Sequence, residues 1–204
     1  MQTSRRLAAA VALVFCGLTA NFASAAVHTW RVDEIYSNAS GSVQFIEMKT
    51  NTNGETVFVA TGAKLISRSP ADVVQGTFNF NHDLAGLTAN KTILIGTSNL
   101  TSLAGVTPDF VIPAGFLLTG GGELEFFANS FGGTLDIDIF PALPGGILSY
   151  SPNTLLTADN TPKNFAGVTG HVVPEPSTLA IALGGLIALG VMGRRFRRRA
   201  NQFY

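Results

Sequence analysis

The sequence predicts an all-β sandwich followed by a single C-terminal transmembrane helix. Three observations carry that prediction. From Val27 to about Phe140, short β-branched or aromatic runs alternate with turn clusters, the spacing of a sandwich or barrel. From Thr178 to Gly193 no residue is charged, and arginines follow at once. Cys16 is the only cysteine, and it lies in a leader, so the exported part has no internal disulfide and relies on its apolar core.

Residues 1–25 have the layout of a secretory signal peptide. Arg5 and Arg6 precede the apolar run Leu7–Leu18, and Ala23-Ser24-Ala25 forms a small-residue cleavage site before Ala26. Phe15, next to Cys16, is too large for a lipoprotein site. Leu7-Ala8-Ala9 does not continue a twin-arginine pattern.

Residues 26–150 form the expected folded domain. Strands are expected at Thr29–Tyr36, Val43–Thr50, Glu55–Ala60, Ala63–Ser67, Gly76–Phe80, Lys91–Gly96, Phe116–Thr119, Glu123–Ala128 and Thr134–Phe140. Asn51–Gly54 and Gly120–Gly122 have the composition of hairpin connections. A turn or two of helix is expected from Ser98 to Ala104, with Ser98 as N-cap. In Thr134–Phe140, alternation places Leu135, Ile137 and Ile139 on a buried face, with Asp136 and Asp138 on a wet one. In the first strand, Glu34 falls on the face of Trp30, Val32 and Tyr36, where a carboxylate needs a hydrogen-bond donor or the sheet margin. Past Phe140, Pro141, Pro144-Gly145-Gly146 and Ser151-Pro152-Asn153 interrupt the pattern. Residues 151–173 therefore read as a linker that spaces the domain from the membrane.

Residues 174–204 make up the tail. The apolar run Leu179–Met192 lies within an expected helix from about 178 to 193. At 1.5 Å per residue it spans roughly 24 Å, somewhat short of the ~30 Å hydrocarbon core. Local thinning and snorkelling absorb such a mismatch. Arg194, Arg195, Arg197, Arg198 and Arg199 form a basic tail at 194–199, a stop-transfer signal that keeps this end cytoplasmic. Pro174 and Pro176 hold the preceding segment extended, and Ser177 is placed as the helix N-cap.

Two resemblances follow from these residues. Pro174-Glu175-Pro176, the apolar helix and the arginine tail, in that order, resemble the PEP-CTERM sorting signal of Gram-negative bacteria. The resemblance implies handling by an exosortase-type processing enzyme, with Pro174, Glu175 and Pro176 as the sorting motif. It also implies a transient inner-membrane anchor, then a place at the cell surface or in the extracellular matrix, associated with exopolysaccharide or biofilm. Separately, Val32-Asp33-Glu34-Ile35-Tyr36 followed by Gln44-Phe45-Ile46-Glu47-Met48 is similar to the opening of the lamin-tail domain. Phe110–Phe116 resembles its Pro-x-Gly approach to a later strand, and Met48 stands where that family usually has Leu. This second resemblance, spanning roughly Trp30 to Ala128, implies an immunoglobulin-like β-sandwich.

Charge and chemistry narrow the function classes. The chain has 13 basic and 13 acidic residues, but the basic ones concentrate at its ends. Residues 26–172 hold six basic and twelve acidic residues, a balance that disfavours nucleic acid as a partner. His28, His82 and His171 are the only histidines, and no G-x-S-x-G motif is present, so a secreted hydrolase is a remote alternative. No cofactor is expected, and zinc lacks ligands at suitable spacing. Calcium is the one metal for which weak candidates exist, Asp136 with Asp138 and Glu123 with Glu125. The expected function is that of a non-enzymatic surface or matrix protein. The alternative is a carbohydrate- or calcium-binding module, with Trp30, Tyr36 or Tyr150 stacking on sugar.

Overall fold

The computed structural model describes residues 26–173. The expected signal peptide before Ala26 and everything from Pro174 onward, including the expected sorting motif, the expected membrane helix and the basic tail, lie outside the described residues. Among the described residues, no helix is long and apolar enough to cross a membrane.

Ten strands form two sheets. In chain order they are β1 (Arg31–Ser37), β2 (Gln44–Thr50), β3 (Ala63–Arg68), β4 (Val74–Asn79), β5 (Lys91–Thr97), β6 (Phe110–Ile112), β7 (Gly122–Ala128), β8 (Gly133–Phe140), β9 (Leu148–Ser151) and β10 (Leu156–Asp159). A six-stranded sheet has the order β10-β9-β1-β2-β5-β6, and a four-stranded sheet the order β4-β3-β7-β8. Neighbours pair antiparallel except β5 with β6. Among the described residues the architecture is a two-sheet, sandwich-like all-β fold with one short α-helix, α1 (Leu100–Ala104), and a 3-10 turn at Asn129–Phe131.

Apolar residues of both sheets meet between them. Trp30, Val32, Ile35, Ile46, Met48, Leu65, Ile93, Ile95, Leu124 and Phe126 belong to one buried cluster. Phe58, Phe80 and Phe110 supply tilted and edge-on ring contacts at 4.5–5.7 Å, the geometry that aromatic quadrupoles favour. A second, smaller cluster lies on the opposite face of the six-stranded sheet. It joins Tyr36, Phe45 and Leu94 to Leu100 and Ala104 of α1, and to Val106 and Val172. Alternation along β2 separates the two clusters, with Ile46 and Met48 in the first and Phe45 in the second.

Two β-bulges reset the alternation. Between Val32 and Glu34 the register with β2 shifts, so Val32 stays with the inner core while Glu34 and Tyr36 turn outward. Between Phe126 and Phe127 the register with β8 shifts, which changes the phase after Leu135. Asp136 lies opposite buried Phe126 and Asp138 opposite buried Leu124, on the inner side. Ile137 and Ile139 face outward and are 53% and 74% exposed. The expected faces of this strand are therefore reversed, because one extra residue moves every later side chain to the other face.

Glu55–Ala60 and Phe116–Thr119, expected as strands, are irregular. Their apolar residues are nonetheless in place, since Phe58, Phe116 and Leu117 are buried. Side chains supply the missing strand partners. The Gln44 carboxamide accepts from Leu117 N at 3.0 Å and donates to Leu117 O at 2.6 Å. Asp83 accepts from Val59 N at 2.8 Å, and the Thr88 hydroxyl accepts from Glu55 N at 3.0 Å. The helix starts one residue later than expected, with Asn99 at the cap position and no side-chain cap bond.

Gln44 is fully buried and also donates to the Ser37 hydroxyl at 2.9 Å. A Gln44→Leu substitution leaves both backbone groups of Leu117 without partners. At about 1–3 kcal/mol for each stranded group, it is expected to lower unfolding free energy by about 2–6 kcal/mol. Urea unfolding, with an unchanged denaturant slope, checks this.

Candidate functional site: a strap held by carboxylates

Residues 151–173, read from sequence as a linker, contain β10 and a segment that returns to the sheet. After Asp159, residues 160–172 form a strap over the outer face of the six-stranded sheet. Its base is closed by Asn160, which is fully buried. The Asn160 carboxamide oxygen accepts from Val172 N at 2.6 Å, and its nitrogen donates to Val172 O at 3.3 Å and to Ile147 O at 2.8 Å. Val172 itself is buried in the outer apolar cluster.

Three carboxylates standing on or beside the sheet receive alternate backbone N–H groups of the strap. Thr161 N donates to Glu34 at 3.2 Å, Lys163 N donates to Glu47, and Phe165 N donates to Asp109 at 2.8 Å. The period of two follows from extended backbone, in which every second amide faces the same way. Pro162, between the first two donors, has no N–H to strand. The strap then folds back: Lys163 bridges Thr169, Gly170 N donates to Pro162 O at 2.8 Å, and His171 N donates to Ala104 O at 3.1 Å. At Gly170 the contact with the body is closest. A Cβ there would lie 2.2 Å from the Ala104 carbonyl oxygen.

The electrostatics of this ladder are unusual. Glu34 and Glu47 face each other across the β1–β2 pair, and Glu47 is only 3% exposed. Burial, then the neighbouring Glu34 charge, push the Glu47 carboxyl up to about 8, against the Lys163 amide and the Lys49 ammonium. Glu47 is thus carried as the neutral acid at pH 7. A neutral carboxyl still accepts from an amide through its carbonyl oxygen. Burial also raises Glu34, opposed by hydrogen bonds from Ser149 and Thr161. Burial raises Asp109 as well, opposed by the amides of Leu94 and Phe165. Lys49, paired with Asp33, is the nearby cation. The donor that Glu34 needed is the Thr161 amide.

The other sequence-derived candidates are dispersed. Trp30, Tyr36 and Tyr150 are all buried, with the Trp30 indole donating to Glu55 O at 2.9 Å and the Tyr36 hydroxyl to Gly146 O at 2.9 Å. They are core residues and offer no sugar-stacking surface. His28 lies 3.4 Å from the Glu55 carboxylate, and His82 stacks on Phe110 at 4.3 Å. His171 meets Asn160 O at 2.7 Å. Glu123 and Glu125 share the Arg68 guanidinium at 3.7 and 3.1 Å, which occupies them as an ion-pair network. Asp136 accepts from Val32 N at 2.9 Å. Asp138 beside it is raised to about 7 by burial and by Asp136, and one of its buried oxygens has no partner. Among the described residues, no group of three or more His, Cys, Asp or Glu is assembled to hold a metal ion. Ala26 opens the described chain, while Ala23 and Ala25 lie outside it.

No known family, curated protein or solved structure matches the chain. The reading of the strap therefore rests on its own geometry. Sequence reasoning flagged Glu34 but missed Glu47, Asp109 and Asn160 as its partners. The only available signal was Glu47 lying between the apolar residues Ile46 and Met48.

Because folding raises these carboxyls above their unfolded values, the folded state binds more protons than the unfolded state at intermediate pH. For Glu47 the stabilisation is complete below about 4.5 and is lost as pH rises to about 8. At up to about 1.4 kcal/mol per pH unit, the loss amounts to a few kcal/mol, with Glu34, Asp109 and Asp138 acting in the same direction. Thermal unfolding is expected to show higher stability at pH 5 than at pH 8.5. Glu47→Gln, which keeps a neutral acceptor for Lys163 N, is expected to flatten that dependence and to stabilise the protein at the alkaline end.

Proposed function

We propose that this is a non-enzymatic exported protein of the cell surface or extracellular matrix, sorted through its C-terminal tail. The observation that carries the reading is the order of Pro174-Glu175-Pro176, an uncharged run to Gly193, and five arginines by Arg199. An extended motif with one carboxylate, fixed beside an apolar helix, is a compact recognition element for a membrane-embedded enzyme. The arginines hold the helix in one orientation until cutting. In this reading residues 1–25 direct export, residues 178–193 cross the inner membrane, and an exosortase-type enzyme removes the tail. The partner at the destination is exopolysaccharide.

The folded domain fits the role of cargo. Its most perturbed carboxyls are engaged with backbone amides or with each other. The finer assignment to an immunoglobulin-like, lamin-tail-type sandwich rests on the Glu34-Ile35 and Phe45-Ile46-Glu47 motifs, which form neighbouring strands. A sandwich of this kind supports many functions, so the tail and not the fold carries the proposal.

Mass spectrometry of the protein purified from a host with an exosortase is the test. The mature form is expected to lack Arg194–Arg199, and replacement of Pro174 and Pro176 by alanine is expected to preserve them. A wild-type product that keeps all five arginines overturns the reading.

A further inference from the structure

A cleft of about 330 Å³ opens at one end of the four-stranded sheet, between the β3–β4 turn and the Gly120–Gly122 run. Its volume lies within the ~300–1,000 Å³ usual for small-ligand sites. Local chemistry builds both walls. In the turn, the Ser69 carbonyl accepts from Asp72 N at 2.9 Å, and the Ser69 hydroxyl accepts from Ala71 N and Val73 N at 3.3 and 3.2 Å. Asp72 takes a φ of +57°, a left-handed conformation that Asp tolerates better than most residues. Across the cleft, Gly121 has a φ of +99°, and a Cβ on Gly122 would lie 2.4 Å from the Arg68 carbonyl oxygen. Glycine is required at both positions. A Cβ on Gly120 would instead meet nothing within 4 Å, so this wall is bare backbone facing open space.

The polar groups at the cleft are of both signs. Arg68 holds Asp72 at 3.2 Å, Glu123 at 3.7 Å and Glu125 at 3.1 Å. Asp72 and Glu123 each meet it through one oxygen, and neither second oxygen has a partner among the described residues. The Ser69 hydroxyl accepts twice and keeps its proton free to donate. Pro70, Ile139 and Pro141 add aliphatic surface, with Ile139 74% exposed.

This arrangement selects a neutral ligand. A cation between the free carboxylate oxygens would sit beside the Arg68 guanidinium, and an anion would face three carboxylates; like charge opposes each. A polyhydroxylated ring avoids both. Its hydroxyls donate to the carboxylates in charge-assisted hydrogen bonds and accept from Ser69. Its C–H faces cover the proline and isoleucine side chains, a contact that does not call on the buried Trp30, Tyr36 or Tyr150.

We propose that this cleft binds one neutral sugar residue of a polysaccharide. The inference rests on the matrix reading given above, and it names the surface of the folded domain that meets the polymer. A site for a single residue is weak alone, and retention comes from many copies engaging one polymer.

The full-length chain in lipid nanodiscs, with isoleucine methyl groups labelled for NMR, provides the test. Cellotetraose, maltotetraose and chitotetraose are the probes. At least one is expected to shift the Ile139 methyl signal saturably, with a Kd of about 1 mM, while the signal of buried Ile93 stays in place. Asp72→Gly removes one acceptor and suits the positive φ, so the turn is kept; it is expected to weaken binding about tenfold. Gly120→Phe places a ring where the cleft is open and is expected to abolish the shift, with the unfolding transition unchanged. No saturable shift with any probe, or equal affinity in Gly120→Phe, overturns the site. So does tighter binding of N-acetyl-arginine amide or inorganic phosphate than of every saccharide. If the cleft is silent while the wild-type chain still co-sediments with the matrix polysaccharide of its host, the site fails and the polysaccharide partner stands. Loss of Arg194–Arg199, read on the same chains, reports sorting independently of either result.

Discussion

The Gln44 carboxamide, bonded to both backbone groups of Leu117, illustrates the constraint on which this domain depends. A buried backbone amide or carbonyl must find a partner, and here loops run where additional strands would otherwise lie. Side chains rising from the sheets complete the pairing. Gln44 does so for the chain after Phe116, Thr88 and Asp83 for residues 55–59, and Asn160 for the base of the strap. The carboxylates of Glu34, Glu47 and Asp109 do so for the strap itself. Without these groups the loops would expose their polar backbone to an apolar interior at several kcal/mol per site.

That device explains which parts of the fold were legible in sequence. Strands β1, β2, β3, β5, β7 and β8 coincide closely with β-branched or aromatic runs, because their residues pair with other backbone. Glu55–Ala60 and Phe116–Thr119 have the same composition and fill the same core, yet their backbone pairs with side chains distant in sequence. Apolar composition reports burial, and it does not report what satisfies the amides. Strands β9 and β10 went unread for the opposite reason. Leu148–Ser151 and Leu156–Asp159 are four residues each, set among prolines and polar turn residues, and β10 is exposed along its whole length. Their pairing comes from the adjacent β1 edge.

Alternation failed only where the backbone departs from a regular pleat. The bulge at Asp33 separates Val32 from Glu34, and the extra residue at Leu135 inverts Asp136 through Ile139. Neither leaves a glycine or proline as a marker. The site was legible in one residue, Glu34, whose position demanded a donor. Its donor lies 127 residues away, a distance that no local pattern bridges. The reading proposed for the tail is the reverse case, since it draws on a continuous stretch of sequence alone.

The inward turn of Asp136 and Asp138 has a consequence for how the protein behaves in a crowd. Strand β8 ends the four-stranded sheet, and such an edge is a template on which a foreign strand can add. A newcomer paired to β8 would seal both aspartates inside a lengthened sandwich, where one oxygen already lacks a partner. Desolvating that pair carries a cost that opposes the gain from new backbone bonds. The outward isoleucines make the edge adhesive, while the inward acids make it sterile. At this edge, strand addition between neighbouring copies is therefore disfavoured.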